Sequence, residues 1–167
     1  IICRRDNKAL ATLDDCRGKR WMAVDPSSAG GYLYALGEFL DHGIRRSDFA
    51  EISFAPGPGG KQEKVVLAVF AGVCDLGSIR DGALDILRDK IDLGQIRVLA
   101  ESKAYPGWVY CARPGLPLEI TAKIARAFFA LDAGRPEDAV ILTTAGMRGI
   151  IPAVDADYNS VRRLAEK

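Results

Sequence analysis

Gly18 to Gly43 reads GKRWMAVDPSSAGGYLYALGEFLDHG, a passage from strand to loop to helix. Arg20 to Val24 is short and partly apolar, as a strand entering a sheet should be. Asp25-Pro26 stops it, because the residue before a proline is pushed into extended geometry. Ser27-Ser28-Ala29-Gly30-Gly31 follows without a bulky side chain. Leu33, Leu36, Phe39 and Leu40 then recur at helical spacing, and Gly43 stands where a helix should end. A small-residue loop opening onto a helix presents free backbone N–H groups at the positive end of the helix dipole, a ready place for an anion. An ordinary serine cap would carry the same residues.

Composition narrows the classes. The chain has 167 residues, 49% of them apolar, enough for one domain with a sizeable core. Net charge is +1, and acidic and basic residues are interspersed along the chain, which speaks against a nucleic-acid face or a membrane-surface helix. No apolar run is long enough to span a bilayer. The chain opens at Ile1 without a signal peptide, as expected of a processed or excised chain. Cys3, Cys16, Cys74 and Cys111 lack CxxC spacing, so neither zinc nor another cofactor is expected. Cys74 and Cys111 lie in apolar runs and read as buried. A Cys3–Cys16 pair would need an oxidising compartment and is left open. His42, the one histidine, falls at a helix C-terminus and reads as a surface residue.

Outward from the opening stretch, strands are expected at Ile1–Arg5, Glu51–Phe54, Val73–Ile79, Gln95–Ala100 and Trp108–Ala112. Thr12 to Asp15 resembles a capping box opening one helical turn closed by Gly18. Helices are expected at Lys61–Ala71, from Asp81 to about Lys90, at Glu119–Leu131, from Pro136 to Ala145 and at Asp157–Ala165. Ala55 to Gly60 (APGPGG) must be loop. This alternation argues an α/β fold, a mixed sheet flanked by helices with a C-terminal helical tail. It is read as one domain, with a sheet lobe over about 1–105 and a return crossing with helices over about 106–167. Ligands in open sheets sit beyond the carboxyl ends of strands, which points to the loops Asp25–Gly31, Ala55–Glu63 and Ser78–Gly82.

Several stretches together resemble a known family. GKRWMAVDPSSAGGYL is similar to the GK-strand-DP-x-STSG-aromatic segment of the phosphate/phosphonate-type periplasmic solute-binding proteins. GGKQEKVVLAVFAGVCDLGSIRDG resembles that family's second-lobe helix, G-x-x-DAG and ligand-facing loop. RVLAESKAYPGW resembles its strand returning through the hinge, and DADYNSVRRLAE its terminal D-x-Y helix. The resemblance implies a two-lobed, type II binding-protein fold. A first-lobe segment precedes the Ile1–Arg5 strand in that family, so this chain would correspond to lobe two, both hinge crossings and the C-terminal helices. A homodimer is one way such a part would cover its faces.

The resemblance also implies a ligand set of Ser28, Ala29, Gly30, Gly31, Tyr32, Gln62 and Arg80, and no catalytic or metal-binding residue. The family's STSG falls on Ser28-Ala29-Gly30-Gly31, so one hydroxyl of that motif remains, and its second-loop histidine falls on Gln62. Gln62 can donate a hydrogen bond but carries no charge. Arg80 can pair bidentately with a phosphonate or carboxylate. Implied partners are a small anion and either an ABC permease or a membrane-anchored histidine kinase. SIRDG and YPGWVY look closer to the kinase-sensor version of the domain. The location implied is periplasmic or extracytoplasmic, with membrane anchoring in the sensor version. Two other classes stay in view. One is an interaction or dimerisation domain with a degenerate site. The other is an enzyme, for which no Walker loop, GxSxG or HExxH is present.

Overall fold

Period-2 alternation in the short strands decides how the sheet is layered. The computed structural model describes all residues, 1–167, and divides into two compact units: Ile1–Ala104 with Val161–Lys167, and Tyr105–Ser160.

The first unit holds five strands: β1 (Ile2–Arg4), β2 (Arg20–Ala23), β3 (Glu51–Phe54), β4 (Leu76–Gly77) and β5 (Ile96–Val98). They form one sheet in the order β3-β2-β4-β1-β5. β2 is parallel to both neighbours, with Trp21 opposite Ile52 of β3 and Leu76 of β4. β1 is antiparallel to β4 and β5, with Cys3 opposite Leu76 and Arg97. The sheet is therefore mixed α/β, as the alternation of elements implies.

Successive side chains point to opposite faces. Cys3, Trp21 and Ala23 pack with Tyr32, Ala35 and Phe39 from the helical segment α1 (Tyr34–Asp41) and its entry turn. Ile2 and Met22 pack on the other face with Val66 and Val69 of α2 (Lys61–Phe70). Trp21 is fully buried, 5.1 Å from the rings of both Phe39 and Phe49 and 5.4 Å from Tyr32. Each ring buries a large apolar area, so this cluster dominates the core of the unit. The last helix, α5 (Asn159–Ala165), brings Leu164 against α1 at Gly37.

Several expectations shorten or fail. The Val73–Ile79 strand reduces to Leu76–Gly77, because Val73 closes α2 by donating to Ala68 and is exposed. No α-helix follows Asp81. Asp81 accepts from the neighbouring Gly82 N–H, Gly82 has φ +73°, and i→i+3 bonds form a 3₁₀ turn at Asp85–Leu87. Trp108–Ala112 forms no strand: no neighbouring strand pairs with it, and Trp108 is 82% exposed. Cys111 is exposed rather than buried for the same reason. Cys74 is buried as expected. Cys3 and Cys16 are buried free thiols, and burial followed by the neighbouring Cys3 pushes the Cys16 thiol up to about 12.

The second unit contains α3 (Leu118–Phe129) and α4 (Pro136–Thr144), the latter opened by proline at its first position as expected. Tyr110 packs on Phe128, ring centroids 4.9 Å apart, and Leu142 is buried. Asp138 accepts from the Asp132 N–H at 3.1 Å and pairs with Arg135. The apolar stripe of α3 is present, but Ile120, Ile124 and Phe129 are each more than 40% exposed. No helix of the chain is long and apolar enough to cross a membrane.

Candidate functional site

Strand order puts the three candidate loops side by side. β3 and β4 flank β2 on opposite sides and run parallel to it, so the connections leaving their carboxyl ends emerge at one edge of the sheet. This reversal of order about β2 is where open sheets leave a ligand crevice. All the predicted ligand residues belong to the first unit.

The loop after β2 is the most built. Ser28 stands at the N-cap in extended geometry, and its Oγ accepts the Gly31 N–H at 3.1 Å. The Ser28 carbonyl accepts from Leu33 at 3.0 Å, and Ala29–Leu33 winds as a π turn before α1 begins. The helix thus starts earlier and wider than the Leu33 periodicity suggests. Ala29, Gly30 and Tyr32 fall in the first turn of this helical segment (Ala29–Leu33), where backbone N–H groups have no intrahelical acceptor. The Ser28 hydroxyl accepts from Gly31 and keeps its own proton to donate. Gly31 must be glycine: a Cβ there would lie 2.4 Å from Val24 Cγ2 and 2.9 Å from Ser28 Oγ.

Arg80 and Gln62 join this turn. A Cβ on Gly30 would lie 3.3 Å from Arg80 Cβ, so the third loop touches the first. The Arg80 backbone N–H donates to Gln62 Oε1 at 3.0 Å, which ties the third loop to the start of α2. That bond settles the amide: the oxygen faces Arg80, and both Nε2 hydrogens remain available. The Arg80 side chain is exposed, and its guanidinium makes no hydrogen bond or ion pair within the protein. Ser28, Ala29, Gly30, Gly31, Gln62 and Arg80 therefore gather within one loop cluster.

Tyr32 differs. Its ring is buried in the core, stacked on Trp21 and edge-on to Phe54 at 5.2 Å, and its buried hydroxyl has no hydrogen-bond partner. What it presents toward the loop is its backbone N–H.

Sequence reasoning missed two further features. Lys61, the first residue of α2, pairs with Asp25. The Lys61 ammonium, then the Ser27 hydroxyl and N–H, hold the Asp25 carboxyl well below the usual carboxylate range. This pairing occupies the lysine and leaves Arg80 as the unpaired cation beside the turn. The second is Ser78, a buried hydroxyl directly after β4, which accepts from Trp21 Nε1 at 3.0 Å and donates to the Gly31 carbonyl at 2.6 Å. A lone serine ending the apolar run Val73 to Ile79 was the available signal. No group of histidine, cysteine and acidic side chains is arranged to hold a metal ion.

Comparisons with known proteins agree with this architecture. Among solved structures, PhnD1 from Prochlorococcus marinus MIT 9301, in complex with methylphosphonate, superposes with a TM-score of 0.81 at 15% identity, over 99% of this chain and 64% of that one. XAC2383 from Xanthomonas citri, bound to ATP, gives 0.77 at 21% identity over 99% of this chain and 62% of that one. At such identities the likeness is one of fold, the type II periplasmic binding-protein fold. Among curated proteins, the phosphate-import protein PhnD of Mycolicibacterium smegmatis (strain ATCC 700084 / mc(2)155) is 32% identical over 180 residues, spanning 99% of this chain. The chain spans 56% of the length of that relative. Residues 1–158 match the family described as the phosphonate periplasmic substrate-binding protein of ABC transporters, and the chain belongs to that family.

Proposed function

We propose that this chain carries the anion site of a periplasmic substrate-binding protein that delivers a phosphonate or phosphate to an ABC permease. The observation that carries the reading is the meeting of Gly30, Gln62 and Arg80, which brings a loop bearing one unpaired arginine against the helix-start turn. In this reading the anion sits over the helix start, where the dipole and the N–H groups favour negative charge. The Ser28 hydroxyl and the Gln62 amide donate to its oxygens. Arg80 supplies the charge and the paired geometry that an XO₃ group or a carboxylate accepts. Tyr32 takes part through its N–H, and its ring serves the core.

Closure of the opposite lobe over these loops would trap the ligand. Such closure is a population shift, driven only by the ligand's better fit to the closed state. The sensor-kinase reading rests on the SIRDG and YPGWVY segments, whereas family and relative are both import proteins. Transport is therefore the reading put forward. Isothermal titration of the full-length protein with methylphosphonate, inorganic phosphate and sulfate is the test. Saturable binding of a phosphorus oxyanion, weakened in Arg80→Ala, is expected. Wild-type protein that binds none of the three would overturn the reading.

A further inference from the structure

We infer that Ser78 is a positioning residue for the anion turn, holding its backbone donors through the Gly31 carbonyl. The inference rests on the proposed anion site and names a residue outside its ligand set. Ser78 is 1% exposed, so it meets no ligand itself. Its backbone is tied into the sheet, the Ser78 N–H donating to the Met22 carbonyl at 3.1 Å. Its hydroxyl bonds two groups that lie 57 and 47 residues earlier in the chain. It accepts from the Trp21 indole N–H at 3.0 Å and donates to the Gly31 carbonyl at 2.6 Å.

The direction of these bonds matters. An indole nitrogen can only donate, so the hydroxyl must accept there and turn its single proton to Gly31. Trp21 lies within β2 and is fully buried, so this partner sits in the core and leaves the hydroxyl proton to Gly31. Gly31 also receives the Val24 N–H at 3.1 Å, and both lone pairs of its carbonyl are thereby used. A carbonyl held from two sides fixes its peptide plane, which includes the Tyr32 N–H. On the amino side, the Gly31 N–H is held by Ser28 Oγ. The turn carrying the orphan donors is pinned at both faces of one glycine. A glycine backbone has the most freedom to lose, so the pin has the most to hold there.

The same segment reaches the other loops. Two residues on, the Arg80 N–H orients Gln62. Ser78 to Arg80 therefore joins all three loops, and the hydroxyl of Ser78 is its bond to the first. Donors fixed before the ligand arrives cost no ordering when it binds, so loss of the pin should appear as lost affinity.

The test compares three variants of the full-length protein: Ser78→Ala, Trp21→Phe and the double variant. Each is titrated with methylphosphonate and inorganic phosphate and melted without ligand. Ser78→Ala should weaken binding by about tenfold, the equivalent of one hydrogen bond. Trp21→Phe loosens the core but leaves the Ser78–Gly31 bond, so its melting temperature should fall while affinity stays near wild type. The double variant removes both buried partners together, and should match Ser78→Ala in affinity. Wild-type affinity in Ser78→Ala, or an equal loss in Trp21→Phe, would overturn the inference, because affinity would then follow general stability. If wild-type protein binds neither probe, the anion reading itself fails. The pin is then judged by the Gly30, Gly31 and Tyr32 amide resonances: movement in Ser78→Ala beyond that in Trp21→Phe upholds it, and equal movement refutes it.

Discussion

Gln62 Oε1 accepts the backbone N–H of Arg80 at 3.0 Å, so a side chain at the start of one helix is oriented by the main chain of a loop eighteen residues on. The bond does not use the guanidinium. Arg80→Ala should therefore remove charge from the site while leaving Gln62 in place. Affinity for a phosphorus oxyanion should fall by about ten- to a hundredfold, the range for a hydrogen bond to a charged partner. Melting temperature without ligand should not move. Gln62→Glu should be worse for binding, since it sets a carboxylate where the anion's oxygens lie. Titration calorimetry beside thermal denaturation separates the two effects.

Gly31 and Gly30 should respond differently to alanine. At Gly31 the new Cβ meets Val24 at 2.4 Å in a buried turn, and overpacking of this kind costs about 1–3 kcal/mol. At Gly30 the nearest atom is Arg80 Cβ at 3.3 Å, a milder contact that a small shift of the third loop relieves. Gly31→Ala should lower stability and binding together. Gly30→Ala should keep stability and disturb binding through Arg80. Urea melts with matched titrations would show it, and equal stability losses would refute the distinction.

Leu164 seats in a notch on α1 made by Gly37, where a Cβ would lie 2.2 Å from Leu164 Cδ1. Leu164→Ala should cost about 2–4 kcal/mol as a large-to-small change at a buried site. Gly37→Ala should also destabilise, by pushing the C-terminal helix away. Because the two residues share one contact, the double variant should cost less than the sum. Strict additivity in chemical denaturation would show that the notch does not hold the helix.

Asp25 is held well below the ordinary carboxylate value of 3.8 by Lys61 and Ser27. A depressed carboxylate stabilises the folded state above its unfolded pKa, and that contribution is lost as pH falls through the folded one. Stability should therefore decline from about pH 4 downward. Asp25→Asn should lower stability at pH 7, where that contribution is fully present, and flatten part of the decline, so that the two proteins converge toward pH 2.5. Melting temperatures across pH 7 to 2.5 would test this, and parallel curves for the two proteins would contradict it.

Cys111 is exposed whereas Cys3, Cys16 and Cys74 are buried, with burial raising the last two thiols to about 12 and about 11. Thiolate is the reactive form, so a thiol reagent at pH 8 should label Cys111 quickly in the native protein. The other three should react only on denaturation. Rapid native labelling of more than one thiol by mass spectrometry would contradict the assignment.

Much of this was legible in the sequence. The 3.6-residue spacing of Leu36, Phe39 and Leu40, the alternation in β1 to β3, and the glycines that close α1 and α2 are local signals written by backbone geometry. So was the grouping of Ser28 to Gly31 with Gln62 and Arg80, because loops after parallel strands share one edge. Trp108–Ala112 misled because β-prone residues make a strand only when a neighbour offers a hydrogen-bonding edge. Asp81 misled because its carboxylate bonds to the adjacent Gly82 rather than capping a helix.

By itself the sequence determined the α/β class, the small-residue turn that opens α1 and the family, since each depends on residues near one another or on motif order. The tertiary structure alone decided that the Tyr32 ring is core, that Lys61 is occupied by Asp25, and that Ser78 joins Trp21 to Gly31. These pairings cross tens of residues, and only the strand order β3-β2-β4 brings their partners within hydrogen-bonding reach.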